Sequence, residues 1–485
     1  MSQRHLVKGK LTSRGKYDKY NDEYEDEEEK EEERKLLRKM DSRLLPLVTL
    51  LYVLSFLDRV NIGNAKLANI EEDLGLTGNQ YNWSLAIFFI GYVLFEVPSN
   101  IMLAKTKPSI WIPTIMVGWG IVMTLMALVI DFEQLMAARF FLGAFEAGLF
   151  PGIVFFITMW YIRSEQNYRI GIIYAGATLA GAFSGLIAYF IMNLDNKFGI
   201  SGWQWIFLID GLITILIALL AYFFISDYPE TAKFLTNNER TLAIKRLKYD
   251  AGSGHLTHFE KEYVLAAIKD WKVWSAMFIY IGIVIPVYSF SFFIPAIVNG
   301  MGFDTVISQL LAAPPFIFGS ISTVIVAITS DRLATRGLLL LICCVISILG
   351  YLLLIIPGIS TPGKYTGACI VGIGIFPSVP TSITWLNNNL AGNVKRATGS
   401  AMMIAFGNIG GAISSQIYQS NEYTIGHMIA VCFLFVTIAF IIIQYGLLKM
   451  ENKTKIRNPE QILAGRSDSE IRNLGDLHPE FIYSL

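Results

Sequence analysis

The chain has 485 residues, 53% of them hydrophobic and only 16% charged, against about 25% charged in soluble domains. Acidic and basic residues number 39 each, so net charge makes no case for nucleic-acid binding. Apolar runs of about twenty residues recur along the whole chain and exclude a soluble globule. Cys343, Cys344, Cys369 and Cys432 lie inside such runs without ligand spacing, so they read as packing residues. His255 and His258 share i, i+3 spacing in a polar stretch but have no further ligands beside them. No metal or cofactor is expected.

Residues 1–43 begin basic, turn acidic from Asp22 to Glu33 and become basic again through Arg34, Lys35, Arg38, Lys39 and Arg43. Like-charge runs of this kind stay solvated, and a disordered tail is expected. The same residues are polar throughout, so no signal peptide is read there. Six apolar spans follow at 44–64, 81–103, 109–129, 134–158, 169–193 and 203–225. After a polar stretch, six more come at 273–297, 306–328, 337–356, 364–386, 397–418 and 427–448. This predicts an all-α membrane protein of twelve transmembrane helices in two six-helix bundles, 44–225 and 273–448, joined by a central loop at 226–272. Within that loop, helix-start chemistry stands at Thr236 to Glu239. The tail at 449–485 is polar and expected to be mobile.

One internal echo fits a duplication. The fifth span carries GAFSG from Gly181 and the eleventh GNIGG from Gly407, both faces suited to close helix contact. Orientation follows from the basic residues. Lys105, Lys107, Arg163, Arg169, Arg332, Arg336, Lys395 and Arg396 fall in the even-numbered connections, and only Lys66 and Lys197 stand out in the odd ones. Both termini and the central loop are therefore cytosolic.

The fourth span holds RFFLGAFEAGLFPG, from Arg139 to Gly152. Arg139 and Glu146 lie seven residues apart, so two helical turns return them to nearly one face, about 10 Å apart along the axis. Charges at this depth cost about 2.5–3.5 kcal/mol each on insertion scales and normally face a partner or a wet cavity. Two readings stand: a structural ion pair that locks helices together, or a transport site.

The other ionisable residues well inside spans are Asp58, Arg59, Glu96 and Asp210, so all six lie in the first half. The second half offers Tyr280, Tyr288, Ser289, Phe376, Ser378, Trp385, Asn387 to Asn389, Asn408 and Gln416 instead. The first half would carry the charge chemistry and the second would shape a pocket around the uncharged part of a ligand. An arginine presents a rigid donor fork to a carboxylate. If an anion takes that arginine, an acidic side chain previously paired with it loses its partner and takes up a proton. Asp210 follows the aromatic stretch WQWIF and reads equally as an interfacial anchor. Asn387 to Asn389 read as helix-ending polar residues.

These stretches carry a resemblance. LDRVNIGNA from Leu57 and the Arg139 stretch resemble the major facilitator superfamily, and within it the anion:cation symporters. EVPSN from Glu96, DYPETAKFL from Asp227 and WLNNNLAGNVKR from Trp385 are similar to the fungal branch, which includes permeases for allantoate, nicotinate, pantothenate and biotin. The superfamily's cytosolic-loop signature stands in the second half as DRLATR, Asp331 to Arg336, and is worn down in the first to AKTKP from Ala104. Gln416, Ile417 and Tyr418 stand where fungal members more familiarly carry the pattern P-x-I-Y.

The resemblance implies the major facilitator fold and alternating access, with spans one, four, seven and ten lining the cavity. It implies that Arg59 and Arg139 bind the substrate anion and that Asp58 and Glu146 handle protons, while Tyr288, Phe376 and Trp385, read from the residues of the second half, are the expected substrate contacts there. Glu96, Asp331, Arg332 and Arg336 would gate. The expected activity is proton symport of a vitamin or nitrogen-source carboxylate into a fungal cell across its plasma membrane. A monomer is expected, with no partner beyond substrate, proton and lipid, and no enzymatic reaction. An organellar facilitator or exporter and a non-transporting nutrient receptor on the same scaffold stand as alternatives.

Overall fold

The computed structural model describes residues 4–77, 79–191, 194–251, 261–333, 335–418, 423–465, 474–479 and 481–485, and every regular element among them is helical. In a bilayer the backbone has no water to bond to, and helices satisfy its polar groups internally. Eleven stretches of the described residues are long and apolar enough to cross a membrane. They comprise span one at the end of the helix Arg4–Leu67, span two in Gln80–Lys105 and span three in Pro108–Met126. Span four is Phe132–Glu146 continued by Leu149–Trp160, and spans five and six lie in Arg163–Ile191 and Gly202–Phe224.

Span seven is Trp271–Asn299, and span eight is Thr305–Leu311 continued by Ala313–Leu333. Spans nine, ten and twelve lie in Arg336–Ile355, Thr361–Asn388 and Tyr423–Arg457. Helix Asn393–Ser414 completes twelve as span eleven. Lys395, Arg396, Asn408 and several glycines dilute its hydropathy below that of the others.

The halves meet through polar and close-packed contacts. Asn79 Nδ2 donates to Gln416 Oε1 at 2.6 Å and Asn82 Nδ2 to the carbonyl of Tyr418 at 3.1 Å. Span one passes span seven so tightly that a Cβ on Gly63 would meet the Phe292 carbonyl. The paired glycine faces divide. Gly181 and Gly185 turn to span eight and Gly411 to Phe89 of span two, all across the seam. Gly407 faces Tyr280 within its own half.

Inside the first half, Gly143 lies against the span-two backbone at Phe88. Gly143→Val is expected to force those helices apart and lower stability by about 1–3 kcal/mol, read as a lower melting temperature in detergent.

Two cytosolic segments depart from expectation. Residues 30–43, expected to be disordered, continue span one as helix and bury Leu36 and Met40. Lys39 pairs with Glu239 at 2.7 Å, Arg169 with Asp41 at 2.7 Å, and Arg246 with Glu33 at 3.2 Å and with Glu165. The charges that looked like a solvated run thus complement the central loop, whose helix Asn237–Ala251 begins where Glu239 Oε2 accepts from Thr236 N at 2.8 Å. The second segment, residues 474–479 and 481–485, docks on the second bundle instead of moving freely. His255 and His258 lie outside the described residues.

Candidate functional site

Arg59 is the centre of the site. It points from span one into the middle of the bundle and is 4% exposed. Its Nε donates to Glu146 Oε1 at 3.1 Å, its Nη2 pairs with the same oxygen, and its Nη1 donates to the Tyr288 hydroxyl at 2.5 Å. Ser55 Oγ adds a hydrogen bond to Glu146 Oε1 at 2.6 Å. The guanidinium lies 5.2 Å from the Tyr92 ring, 5.4 Å from Phe88 and 5.6 Å from Tyr288, close enough for cation–π attraction. Glu146 Oε2 is buried and has no partner among the described residues. All the compensation of this carboxylate is gathered on one oxygen.

The seven-residue spacing of Arg139 and Glu146 does not produce a pair. Glu146 instead meets Arg59, on another helix at the same depth. Arg139 is fully buried, its Nε donating to the Ser84 carbonyl at 3.2 Å and its guanidinium 5.0 Å from the Phe88 ring. Among the described residues nothing bonds its Nη1 or Nη2. A buried arginine with two idle donors, nearer the outer surface than Arg59, is a ready anion position.

A narrow cavity opens beside Arg59, with an interior volume of about 20 Å³, close to what one water molecule needs. Span one supplies Tyr52, Phe56 and Arg59, and span seven supplies Tyr280, Val284, Val287 and Tyr288. Tyr92, Phe150, Tyr174, Val379, Ile404 and Asn408 close it from spans two, four, five, ten and eleven. Phenols, aromatic faces and one amide around a single cation are groups that would meet an anion with a partly polar body if the cavity widens to the few hundred Å³ a small ligand needs. Sequence reasoning passed over Tyr52, Phe56, Phe150 and Tyr174. The i, i+4, i+7 spacing of Tyr52, Phe56 and Arg59 is the signal that would have found the first two.

The remaining candidates lie elsewhere. Asp58 faces away from the cavity, where its Oδ2 accepts from Trp119 Nε1 at 3.0 Å and Thr214 Oγ1 at 3.1 Å. Asp210 sits in the same layer and accepts from Asn61, so it is a buried hydrogen-bonded acid and no interfacial anchor. Phe376 turns from the cavity toward span eight and packs on Phe316 with the rings tilted, ring centres 5.3 Å apart, while Val379 of the same helix faces the cavity. Trp385 lies at the cytosolic end of span ten and donates to the Ser484 carbonyl.

Glu96 bridges the halves, its Oε2 accepting from Asn408 Nδ2 at 3.3 Å. In the cytosolic loop Asp331 pairs with Arg336 at 2.9 Å, and Arg332 is exposed.

Tyr288 joins the cation to the second half. Tyr288→Phe removes the hydroxyl on Arg59 Nη1, worth about 1 kcal/mol net. It is expected to raise the KM for transported ligand about fivefold with kcat retained, measured by initial-rate uptake.

The sequence matches the model of the Major Facilitator Superfamily over residues 48–415. It is 36% identical over 410 residues to MFS transporter prlL of Fungal sp. (strain NRRL 50135), covering 82% of this chain and 83% of that one. It is 37% identical over 402 residues to MFS-type transporter cnsO of Penicillium expansum, covering 80% and 77%. Among solved structures it resembles the crystal structure of a bacterial homologue of the human lysosomal transporter Spinster, inward-facing and occupied. That likeness has a TM-score of 0.61 at 16% identity, covering 83% of this chain and 96% of that one.

Proposed function

The chain belongs to the Major Facilitator Superfamily and is a multi-pass membrane transporter, and on that premise we propose that it imports a small organic anion together with a proton. The carrying observation is that Glu146 holds the donors an anionic substrate needs. Both Arg59–Glu146 contacts fall on one carboxylate oxygen while the other has no partner.

A substrate carboxylate entering beside Tyr288 competes for that guanidinium. Glu146 then keeps only the Ser55 hydroxyl, and an unpaired buried carboxylate is far costlier than a protonated one. Substrate binding and protonation therefore favour each other. Release to the cytosol lets Glu146 lose its proton and recapture Arg59, which resets the empty carrier.

Arg139 supplies the outer anion position in this scheme, through the two guanidinium nitrogens that have no partner among the described residues. Asp58, next to Arg59 in the chain, is the second proposed proton carrier and acts from outside the cavity. The bridge from Glu96 to Asn408 and the Asp331–Arg336 pair are the proposed gates, one between the halves and one in the cytosolic loop. Substrates of this class include nicotinate, pantothenate and allantoate, carried into a fungal cell across its plasma membrane.

The test is uptake of these labelled acids in cells lacking their own permeases, at about pH 5 and about pH 7, with and without a protonophore. Accumulation is expected to be stronger in acid and to collapse with the protonophore. Uptake indifferent to both would sink proton coupling and leave a facilitator. Surface expression without uptake of any acid would favour the organellar or receptor reading.

A further inference from the structure

Residues 474–479 and 481–485 are held on the cytosolic end of the second bundle by paired contacts. Asn389, at the end of span ten, accepts from Ser484 N at 2.8 Å and donates to the Ser484 carbonyl at 3.0 Å. Asn452, at the cytosolic end of span twelve, treats Tyr483 the same way, at 2.8 and 2.9 Å. Each of two consecutive residues is thus clasped by a side-chain amide as a neighbouring strand would clasp it. Trp385 Nε1 also donates to the Ser484 carbonyl at 3.0 Å, and Arg336 N donates to the Leu485 carbonyl at 2.7 Å. The DRLATR loop and span ten are thereby tied to one peptide.

Charge secures the other end. Asp476 is 2% exposed and accepts from Lys272 of span seven and Lys395 of span eleven, each at 2.8 Å. Asp270 pairs with the same two lysines at 3.1 and 2.6 Å. Two acids and two bases therefore pair in one network, and Lys455 Nζ adds a bond to the Asp476 carbonyl at 2.5 Å. Lys455 of span twelve donates to the Phe481 carbonyl at 2.8 Å and lies 3.7 Å from the centre of the buried Tyr483 ring. Removing the segment would strip partners from two buried asparagines and leave two lysines to one aspartate. Incidental tail contacts do not leave such debts on the receiving surface.

We propose that residues 474–479 and 481–485 form an intramolecular strap that pins the cytosolic half of span ten to spans seven, eleven and twelve and to the loop after span eight. Span ten contains Pro377 and Pro380, each of which removes a backbone hydrogen bond and makes a natural hinge. The hinge is adjacent to Val379, which lines the cavity. Beyond it, the half-helix from Thr381 to Asn388 is anchored at its far end through Trp385 and Asn389. Release of the strap frees that half-helix to swing, which changes access to the cavity from the cytosol. The contacts named above lie within the second half, so the strap stiffens that bundle.

The strap is secure at cytosolic pH. Burial opposes charge on Asp476, but the ammonium groups of Lys272 and Lys395 outweigh it and hold the carboxyl below its ordinary value. A lowered carboxyl pKa stabilises above the unfolded value of about 3.9, and that stability is lost only as pH falls through the lowered folded value. Release therefore calls for truncation, modification or a competing partner.

The inference is independent of the substrate, and so is its test. Thr381→Cys is introduced into the full chain with Cys343, Cys344, Cys369 and Cys432 replaced by alanine. Labelling by a membrane-impermeant maleimide is timed in inside-out vesicles. Deletion of residues 474–485 is expected to speed labelling about tenfold while the size-exclusion profile stays unchanged. The double variant Asn389→Ala with Asn452→Ala is expected to do the same, and it decides the matter if the truncated chain does not fold. Labelling that stays slow in the folded released form would overturn the strap.

Discussion

Glu146→Gln is expected to abolish proton-driven accumulation while leaving exchange of substrate across the membrane intact. Glutamine keeps the shape of the protonated acid and an oxygen for the Ser55 hydroxyl and Arg59, at present held by Glu146 Oε1. It cannot ionise, so it cannot lock Arg59 in the empty carrier or report substrate release by losing a proton. With one proton per anion, a gradient of two pH units supports about 100-fold accumulation, each unit contributing about 1.36 kcal/mol. The variant should bring that ratio to about one, whereas efflux of preloaded label into medium containing unlabelled substrate should proceed at near wild-type rate. Accumulation retained in the variant would move proton coupling away from Glu146, and Asp58 would be the next acid to test. Loss of exchange as well would mean that the negative charge is needed for the carrier to turn over at all.

How much of this site was legible in the sequence follows from what each residue needs. Twelve apolar spans, two bundles and the basic cytosolic connections depend on composition over about twenty residues, which any window records. Arg59 and Glu146 stood out because a charge in hydrocarbon demands an explanation. Their partnership did not, because it joins spans one and four, and nothing along the chain fixes the rotation of one helix against another. Arg139 illustrates the point, since its spacing from Glu146 offered a partner that it does not contact.

Phe376 and Trp385 had the right residue types but the wrong positions. Phe376 faces span eight, and Trp385 belongs to the cytosolic surface. The C-terminal segment was opaque for a different reason. Asp476 and Tyr483 look like ordinary tail residues until Lys272, Lys395 and Asn452, which are distant in the chain or on another helix face, converge on them.

Arg59→Ala is expected to cost at least about 100-fold in kcat/KM for uptake, and a second substitution shows why. Two charge-assisted hydrogen bonds to a substrate carboxylate, at about 1.5–3 kcal/mol each, give about 3–6 kcal/mol, or two to four orders of magnitude. The same substitution leaves Glu146 buried beside an empty space, a penalty of about 3–5 kcal/mol if it stays charged. Lower yield and thermal stability should therefore accompany the loss of transport. Combining Arg59→Ala with Glu146→Gln removes the stranded charge, so stability should recover, and the two single effects on stability will not add. Transport should not recover, because no fork remains for the anion.

Arg59→Lys sharpens the contrast. It keeps the charge near Glu146 and should largely preserve stability, yet a point charge on a flexible stem does not reproduce the planar fork now shared between Glu146 and Tyr288. If the Arg59–Glu146 pair were purely structural, the double variant would transport as well as it folds. Stability and uptake recovering together would refute an anion site at Arg59, and stability recovering alone would support it.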